Sequence, residues 1–191
     1  GLNFADVYRR NGNYHLSGTA PWTLGYEGAG VIEHAAADDS LFPVGTRVGF
    51  ADMPHANAEL VAVDIDKLIP LPDDITFDIA AAILLQGLTA QYLVTDSYRV
   101  RRGDVAVVHA AAGGVGQLLV QMLKTLGATV LGVASSATKR AAVLVAGADA
   151  ACGYDDLLAQ TQQLSAGRGA DVVYDSVGRT LGDSLAAARI G

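Results

Sequence analysis

The residues best suited to chemistry are the glycines that close Val105-Ala-Val-Val-His-Ala-Ala-Ala-Gly-Gly-Val-Gly116, just ahead of the amphipathic run from Gln117 to Leu126. A β-branched strand leading into such a turn, and then into a helix, brings backbone N–H groups and the positive end of a helix dipole up to a pyrophosphate. Gly113 and Gly114 permit positive φ or close backbone approach, and Gly116 lets the helix sit tightly on its sheet. A glycine turn can also be purely structural. The strand–helix units that follow favour a bound dinucleotide. After the second strand, Val133-Ala-Ser-Ser-Ala-Thr-Lys-Arg140 carries no carboxylate, where an NAD site usually places an acid for the ribose 2′-OH. Ser135 and Ser136 offer hydrogen bonds and Lys139 a positive charge, which suits a 2′-phosphate and therefore NADP. The plainer reading of the same residues is a serine helix cap beside a solvated lysine.

Other chemistries find little support. His15, His34, His55 and His109 have no metal-ligand spacing, and His109, inside an apolar strand, reads as a packed or hydrogen-bonded core residue. The lone cysteine, Cys152, excludes an internal disulfide framework and a multi-cysteine zinc site, and reads as a buried small apolar residue. No Gly-x-Ser-x-Gly elbow is present, so acyl transfer is unsupported. Asn3, Asp6, Tyr8 and Tyr14, taken alone, look like an ordinary surface segment.

The elements that must position these residues change in character along the chain. Up to about residue 70, short strands are expected at 24–33, 45–50 and 58–63, with Pro70 and Pro72 closing the segment. That pattern suggests a small antiparallel barrel or sandwich whose opening strand is missing. Thr76 can cap a helix from Phe77 to Leu85, with Gly87 separating it from a second helix, Thr89 to Ser97. Strands at 105–110, 129–134, 149–152 and 171–175 then alternate with helices at 115–126, 137–146, 155–165 and from about 180. This alternation predicts an α/β fold with a doubly wound parallel sheet and right-handed crossovers. With 191 residues, 51% of them hydrophobic, a substantial core is available. A net charge of −7 speaks against nucleic acid. No apolar stretch is expected to reach the roughly 20 residues that span a bilayer, and no signal peptide is visible, so no membrane role and a cytoplasmic location are expected. The chain opens on Gly1 and closes on Gly191, and both ends read as cuts through a larger protein.

Gly1-Leu-Asn-Phe-Ala-Asp-Val-Tyr8 resembles a segment of the NADPH:quinone oxidoreductases, the zeta-crystallin-like, zinc-independent branch of the medium-chain dehydrogenase/reductase superfamily. So do Leu24-Gly-Tyr-Glu-Gly-Ala-Gly30, Val44-Gly-Thr-Arg-Val48, Gln86-Gly-Leu-Thr-Ala-Gln-Tyr92, His109-Ala-Ala-Ala-Gly-Gly-Val-Gly116 and Val173-Tyr-Asp-Ser-Val-Gly178. The resemblance covers essentially the whole chain, in order. It implies a truncated GroES-like, β-rich catalytic lobe over 1–85, ahead of a truncated Rossmann NADP-binding domain over 86–191, with the active site in the cleft between. It further implies reduction of a quinone by hydride from NADPH, no metal, and a homodimer in the full-length form. Asn3, Tyr8 and Tyr14 would be the catalytic residues. Phe4, Tyr8, Thr89, Tyr92 and Ser176 would lie on the nicotinamide side, and Gly113, Gly114, Val115 and Gly116 at the pyrophosphate. Ser135, Ser136, Lys139 and Tyr154 would meet the 2′-phosphate. Two other activities fit the same pattern: an enoyl or alkenal reductase of the superfamily, and a non-catalytic, crystallin-like NADPH-binding protein. The segment 34–40 departs from the family by lacking its usual glycine. A sheet cut after four strands would expose edges and apolar surface, so the chain alone is expected to be poorly stable.

Overall fold

The computed structural model describes residues 1–12, 21–35 and 42–190, which divide into two compact units, Gly1–Leu85 and Gln86–Gly191. In the first, helix α1 (Phe4–Arg10) precedes strands β1 (Glu27–Val31), β2 (Arg47–Ala51) and β3 (Ile69–Pro70), which form an antiparallel sheet in that order. The register sets Gly28 opposite Phe50, and the Phe50 ring fills the space a side chain at Gly28 would need.

Two expectations fail in this unit. No strand forms at 58–63; a single 3₁₀ turn, Ile65–Lys67, and the two-residue β3 follow instead. The run 58–63 joins no ladder, and β3 pairs with β2 instead. Nor is the N-terminal segment ordinary surface. It folds as α1, with Asp6 and Arg9 only 1% and 2% exposed.

Helix α2 (Phe77–Tyr92) is continuous, and one π-helical turn, Leu93–Ser97, extends it. Gly87 does not split it. A helix-interior glycine costs about 1 kcal/mol relative to alanine, too little to break a helix whose neighbours are mostly alanine, leucine and glutamine. The unbroken 21-residue helix Phe77–Ser97, with a mean hydropathy of 1.4, is long and apolar enough to cross a membrane by length and composition alone. Dividing it at Gly87 conceals that length in the sequence.

The second unit is built on a four-stranded sheet. Strands β4 (Val105–Val108), β5 (Thr129–Val133), β6 (Ala150–Cys152) and β7 (Val172–Tyr174) are all parallel, in the order β6-β5-β4-β7. Side chains alternate between its faces. Ala106, Val108 and Val130 pack with Leu119, Val120 and Leu123 of α3 (Gly114–Thr125) and Val143 of α4 (Ala137–Val145). Val105, Val107, Leu131 and Val133 pack on the other face with Leu157 of α5 (Leu157–Leu164) and Ala187 of α6 (Leu181–Ala187). Each fully buried valine or leucine contributes about 1.5–3 kcal/mol, so both layers are held by apolar burial. The unit is a doubly wound α/β sheet.

Candidate functional site

β4 lies between β5 and β7, and the turn at its carboxyl end therefore sits over the middle of the sheet. Positive φ falls on Ala110 (+47°), not on a glycine. The Ala110 carbonyl accepts from Gly113 N at 2.8 Å, and Gly113 caps α3 in an extended conformation. A Cβ on Gly116 would lie 2.6 Å from the Ala110 oxygen and 2.7 Å from Ala111 Cα. Only glycine lets the helix start this close to the turn. The Gln86 side chain occupies the space above Gly114, and Gln117 Nε2 donates to the Ala112 carbonyl at 3.0 Å. The N–H groups of the first α3 turn have no intrahelical acceptor, as at any helix start, and Gly113 and Gly114 are exposed. The turn can therefore receive an anion through its backbone.

At the end of β5, Ser136 is the N-cap of α4, its Oγ accepting from Lys139 N at 3.3 Å. Ser135 and Lys139 are exposed. A second cation that the sequence reading passed over stands beside them: Arg140 Nη1 donates to the Ala134 carbonyl at 3.2 Å. Tyr154 follows β6, and its ring packs against His109 with centroids 5.8 Å apart.

His109, 2% exposed, is the centre of a polar cluster that local sequence signals did not indicate. Its Nδ1 lies 3.3 Å from Thr180 Oγ1, and its Nε2 3.2 Å from Ser184 Oγ. Both hydroxyls also donate to Asp175 Oδ2, at 3.0 and 2.7 Å. Asp175 Oδ1 accepts from Val177 N and Gly178 N at 2.8 and 3.0 Å, which closes the turn carrying exposed Ser176. Burial pushes the His109 imidazole below its ordinary value, with Asp175 and Asp183 opposing the shift. Burial pushes the Asp175 carboxyl up, but hydrogen bonds from Ser184, Gly178, Val177 and Thr180 outweigh it and hold the group well below the usual carboxylate range. The cluster spans more than 70 residues of sequence, so neither periodicity nor motif spacing reveals it.

The other expected site residues are spread over both units. Asn3 and the aromatic pair Phe4 and Tyr8 (ring centroids 6.0 Å apart) belong to the first, with Tyr8 49% exposed. Asn3 Nδ2 donates to Glu27 Oε1 at 2.7 Å, and its backbone N donates to Asp6 Oδ2 at 2.9 Å. Buried Glu27 also accepts from Leu85 N, and buried Asp6 from Gly25 N. Tyr14 lies outside the described residues. Thr89 and Tyr92 are exposed on α2, in the second unit. Among the described residues, no group of three or more His, Cys, Asp or Glu side chains could hold a metal ion.

Residues 1–102 match the family model described as alcohol dehydrogenase GroES-like domain, and residues 114–191 the one described as zinc-binding dehydrogenase. The chain belongs to the medium-chain dehydrogenase/reductase superfamily. Its fold is that of the superfamily, a GroES-like domain and a parallel α/β sheet. The chain is 43% identical over 195 residues to a probable quinone oxidoreductase of Schizosaccharomyces pombe, covering all of this chain and 58% of that one. It is 37% identical over 193 residues to a 2-haloacrylate reductase of Burkholderia sp, covering 97% of this chain and 58% of that protein. The crystal structure of Escherichia coli quinone oxidoreductase complexed with NADPH superposes with a TM-score of 0.93 at 36% identity, over 99% of this chain and 59% of that one. This superfamily member thus spans somewhat over half the length of the relatives it matches.

Proposed function

We propose that the protein containing this chain is an NADPH-dependent quinone reductase that works without zinc. One observation carries the reading furthest: a glycine turn able to seat a pyrophosphate lies in a unit whose β5 ends at Ser135, Ser136, Lys139 and Arg140 with no carboxylate among them. That donor set suits a 2′-phosphate better than a free ribose 2′-OH. The quinone oxidoreductases among the relatives agree with it, as does the NADPH complex of the Escherichia coli enzyme. Gly113, Gly114, Val115 and Gly116 would form the pyrophosphate turn, with the backbone N–H groups of Gly114 and Val115 as donors and Gly113 and Gly116 giving the turn its shape. Ser135, Ser136, Lys139 and Tyr154 would hold the 2′-phosphate, and Phe4, Tyr8, Thr89, Tyr92 and Ser176 would line the nicotinamide side. When bound, NADPH supplies the hydride. The chain positions the ring, excludes water, and offers a hydrogen-bond donor (Tyr8, Tyr14 or the Asn3 amide) to the oxygen that gains negative charge. In this reading residues 1–85 are the catalytic lobe and 86–191 the nucleotide lobe. The whole protein is a cytoplasmic homodimer that binds neither nucleic acid nor membrane.

Lys139→Glu is the direct test. Replacing one charge-assisted contact by a repulsive one is expected to weaken NADPH by roughly 10- to 100-fold while leaving NADH nearly unchanged. An equal loss for both dinucleotides rules out this 2′-phosphate site. A second reading, reduction of a conjugated carbonyl compound, is favoured by the similarity to the 2-haloacrylate reductase. NADPH oxidation measured on a panel of small quinones and enones separates the two. Turnover of enones alone overturns the quinone assignment, and tight NADPH binding with no turnover of either identifies a non-catalytic binding protein.

A further inference from the structure

A non-glycine residue in the left-handed region costs about 1–2 kcal/mol, and such residues persist where their surroundings hold them. Ala110 is such a residue, at the point where β4 becomes the glycine-rich turn. Its conformation has consequences for the whole turn. The Ala110 carbonyl accepts the Gly113 N–H, and the same oxygen bounds the space that lets α3 begin at close range.

Both neighbours of Ala110 are fixed. Ala111 N donates to the Val133 carbonyl at 3.1 Å, and His109 N to the Tyr174 carbonyl at 3.0 Å. Only His109 is held by its side chain as well. Thr180 Oγ1 and Ser184 Oγ flank its two ring nitrogens, and both hydroxyls donate to Asp175 Oδ2. The neutral ring has one N–H, so it donates to one of the two hydroxyls and packs its other nitrogen against the second. Asp175 is in turn pinned by two backbone N–H groups of its own turn. The groups facing the imidazole are Asp175 after β7, Asp183 on α6 and the Tyr154 ring after β6. No cation is among these, and the ring is braced between neutral hydroxyls backed by one carboxylate. A hydrogen-bond network that ties a buried ring to a carboxylate gives a rigid anchor.

We propose that His109 is a positioning residue for the dinucleotide turn: held through Ser184 and Thr180 by Asp175, it keeps Ala110 left-handed and so keeps the α3 N–H groups aimed at the pyrophosphate. Its consequence for affinity rests on the NADPH reading above; the clamp itself does not. The cluster also links the turn after β7, which carries Ser176, to the turn after β4. The two loops would then be set as one unit.

The test uses Ser184→Ala and Thr180→Val, one at each ring nitrogen, in the full protein, alone and combined with Ala110→Gly. Amide hydrogen exchange is read without ligand, and NADPH affinity by fluorescence titration. Ser184→Ala is expected to speed exchange at Gly113 roughly tenfold, with the β5 amides unchanged. It should weaken NADPH by roughly tenfold. Adding Ala110→Gly, which adopts the left-handed turn without strain, should recover most of that affinity. Unchanged Gly113 exchange in both variants overturns the clamp. So does faster exchange spread evenly over the sheet, or a loss of affinity that Ala110→Gly does not recover. If the unmodified protein fails to bind NADPH while Ser184→Ala still loosens Gly113, the clamp stands and the cofactor assignment falls.

Discussion

The same substitution, glycine to alanine inside a helix, should have opposite effects at two positions of this chain. At Gly87, within α2, an added Cβ meets nothing within 4 Å, so only helix propensity changes and the variant should gain about 1 kcal/mol. At Gly116 the added Cβ would meet Ala110 O, Ala111 Cα and Ala111 C at 2.6, 2.7 and 2.8 Å, well inside the 3.4 Å where ordinary contact begins. All three are backbone atoms of the strained turn, and none can swing away as a side-chain end would. Overpacking against a rigid neighbour costs typically 1–3 kcal/mol. Taking about 3 kcal/mol for a backbone obstacle and subtracting about 1 kcal/mol of propensity leaves Gly116→Ala about 2 kcal/mol less stable. The two variants should then differ by about 3 kcal/mol, or about 6–12 °C in Tm for a chain of this size. Chemical denaturation followed by far-ultraviolet circular dichroism measures the first and a thermal melt the second. A Gly116→Ala protein as stable as Gly87→Ala would refute the claim that close approach is the reason for glycine at this position.

Three more outcomes follow from individual polar and titratable groups. Because burial holds the His109 imidazole below its ordinary 6.5, the folded chain stays unprotonated where the unfolded chain takes up a proton. Its contribution is fully present above pH 6.5 and is lost as pH falls from there toward the lowered folded value, so His109→Gln should flatten the stability profile below pH 6.5. Burial, with Asp156 adding to it and Arg140 opposing, pushes the Cys152 thiol up to about 11, so a thiol-specific disulfide reagent at about pH 8 should react only after unfolding. Rapid labelling of the native protein would contradict that burial. Asp149 accepts from Val130 N at 2.7 Å and pairs with Lys124 at 2.7 Å, so Asp149→Ala should cost about 1–3 kcal/mol in denaturant titrations.

Legibility followed the range of the interactions involved. From Val105 onward each strand and helix announces itself by local periodicity, and β4 to α6 form where the alternation places them. The turn residues Gly113 to Gly116 and the cap at Ser136 are likewise local devices, fixed by neighbours a few positions away. Gly87 misleads because a single glycine weakens a helix without ending it, and the intact span is visible only once α2 is built. The run 58–63 misleads because alternation describes which side of a segment is apolar, while a strand exists only where it pairs with a neighbour. Asp6 and Arg9 have ordinary surface residue types and become buried only when α1 folds against its unit.

The sequence by itself determines the doubly wound pattern, the glycines at the start of α3 and the acid-free end of β5, since each depends on residue type within a short window. Only the tertiary structure decides that positive φ falls on Ala110 and that His109 meets Thr180 and Ser184, 71 and 75 residues further along. Strand pairing in the order β6-β5-β4-β7 brings the ends of β4 and β7 side by side, although more than 60 residues separate them in sequence. The parallel ladder, and not any motif, sets His109 against the α6 hydroxyls and the Asp175 carboxylate, because hydrogen-bonded strands lie about 5 Å apart whatever their separation in the chain.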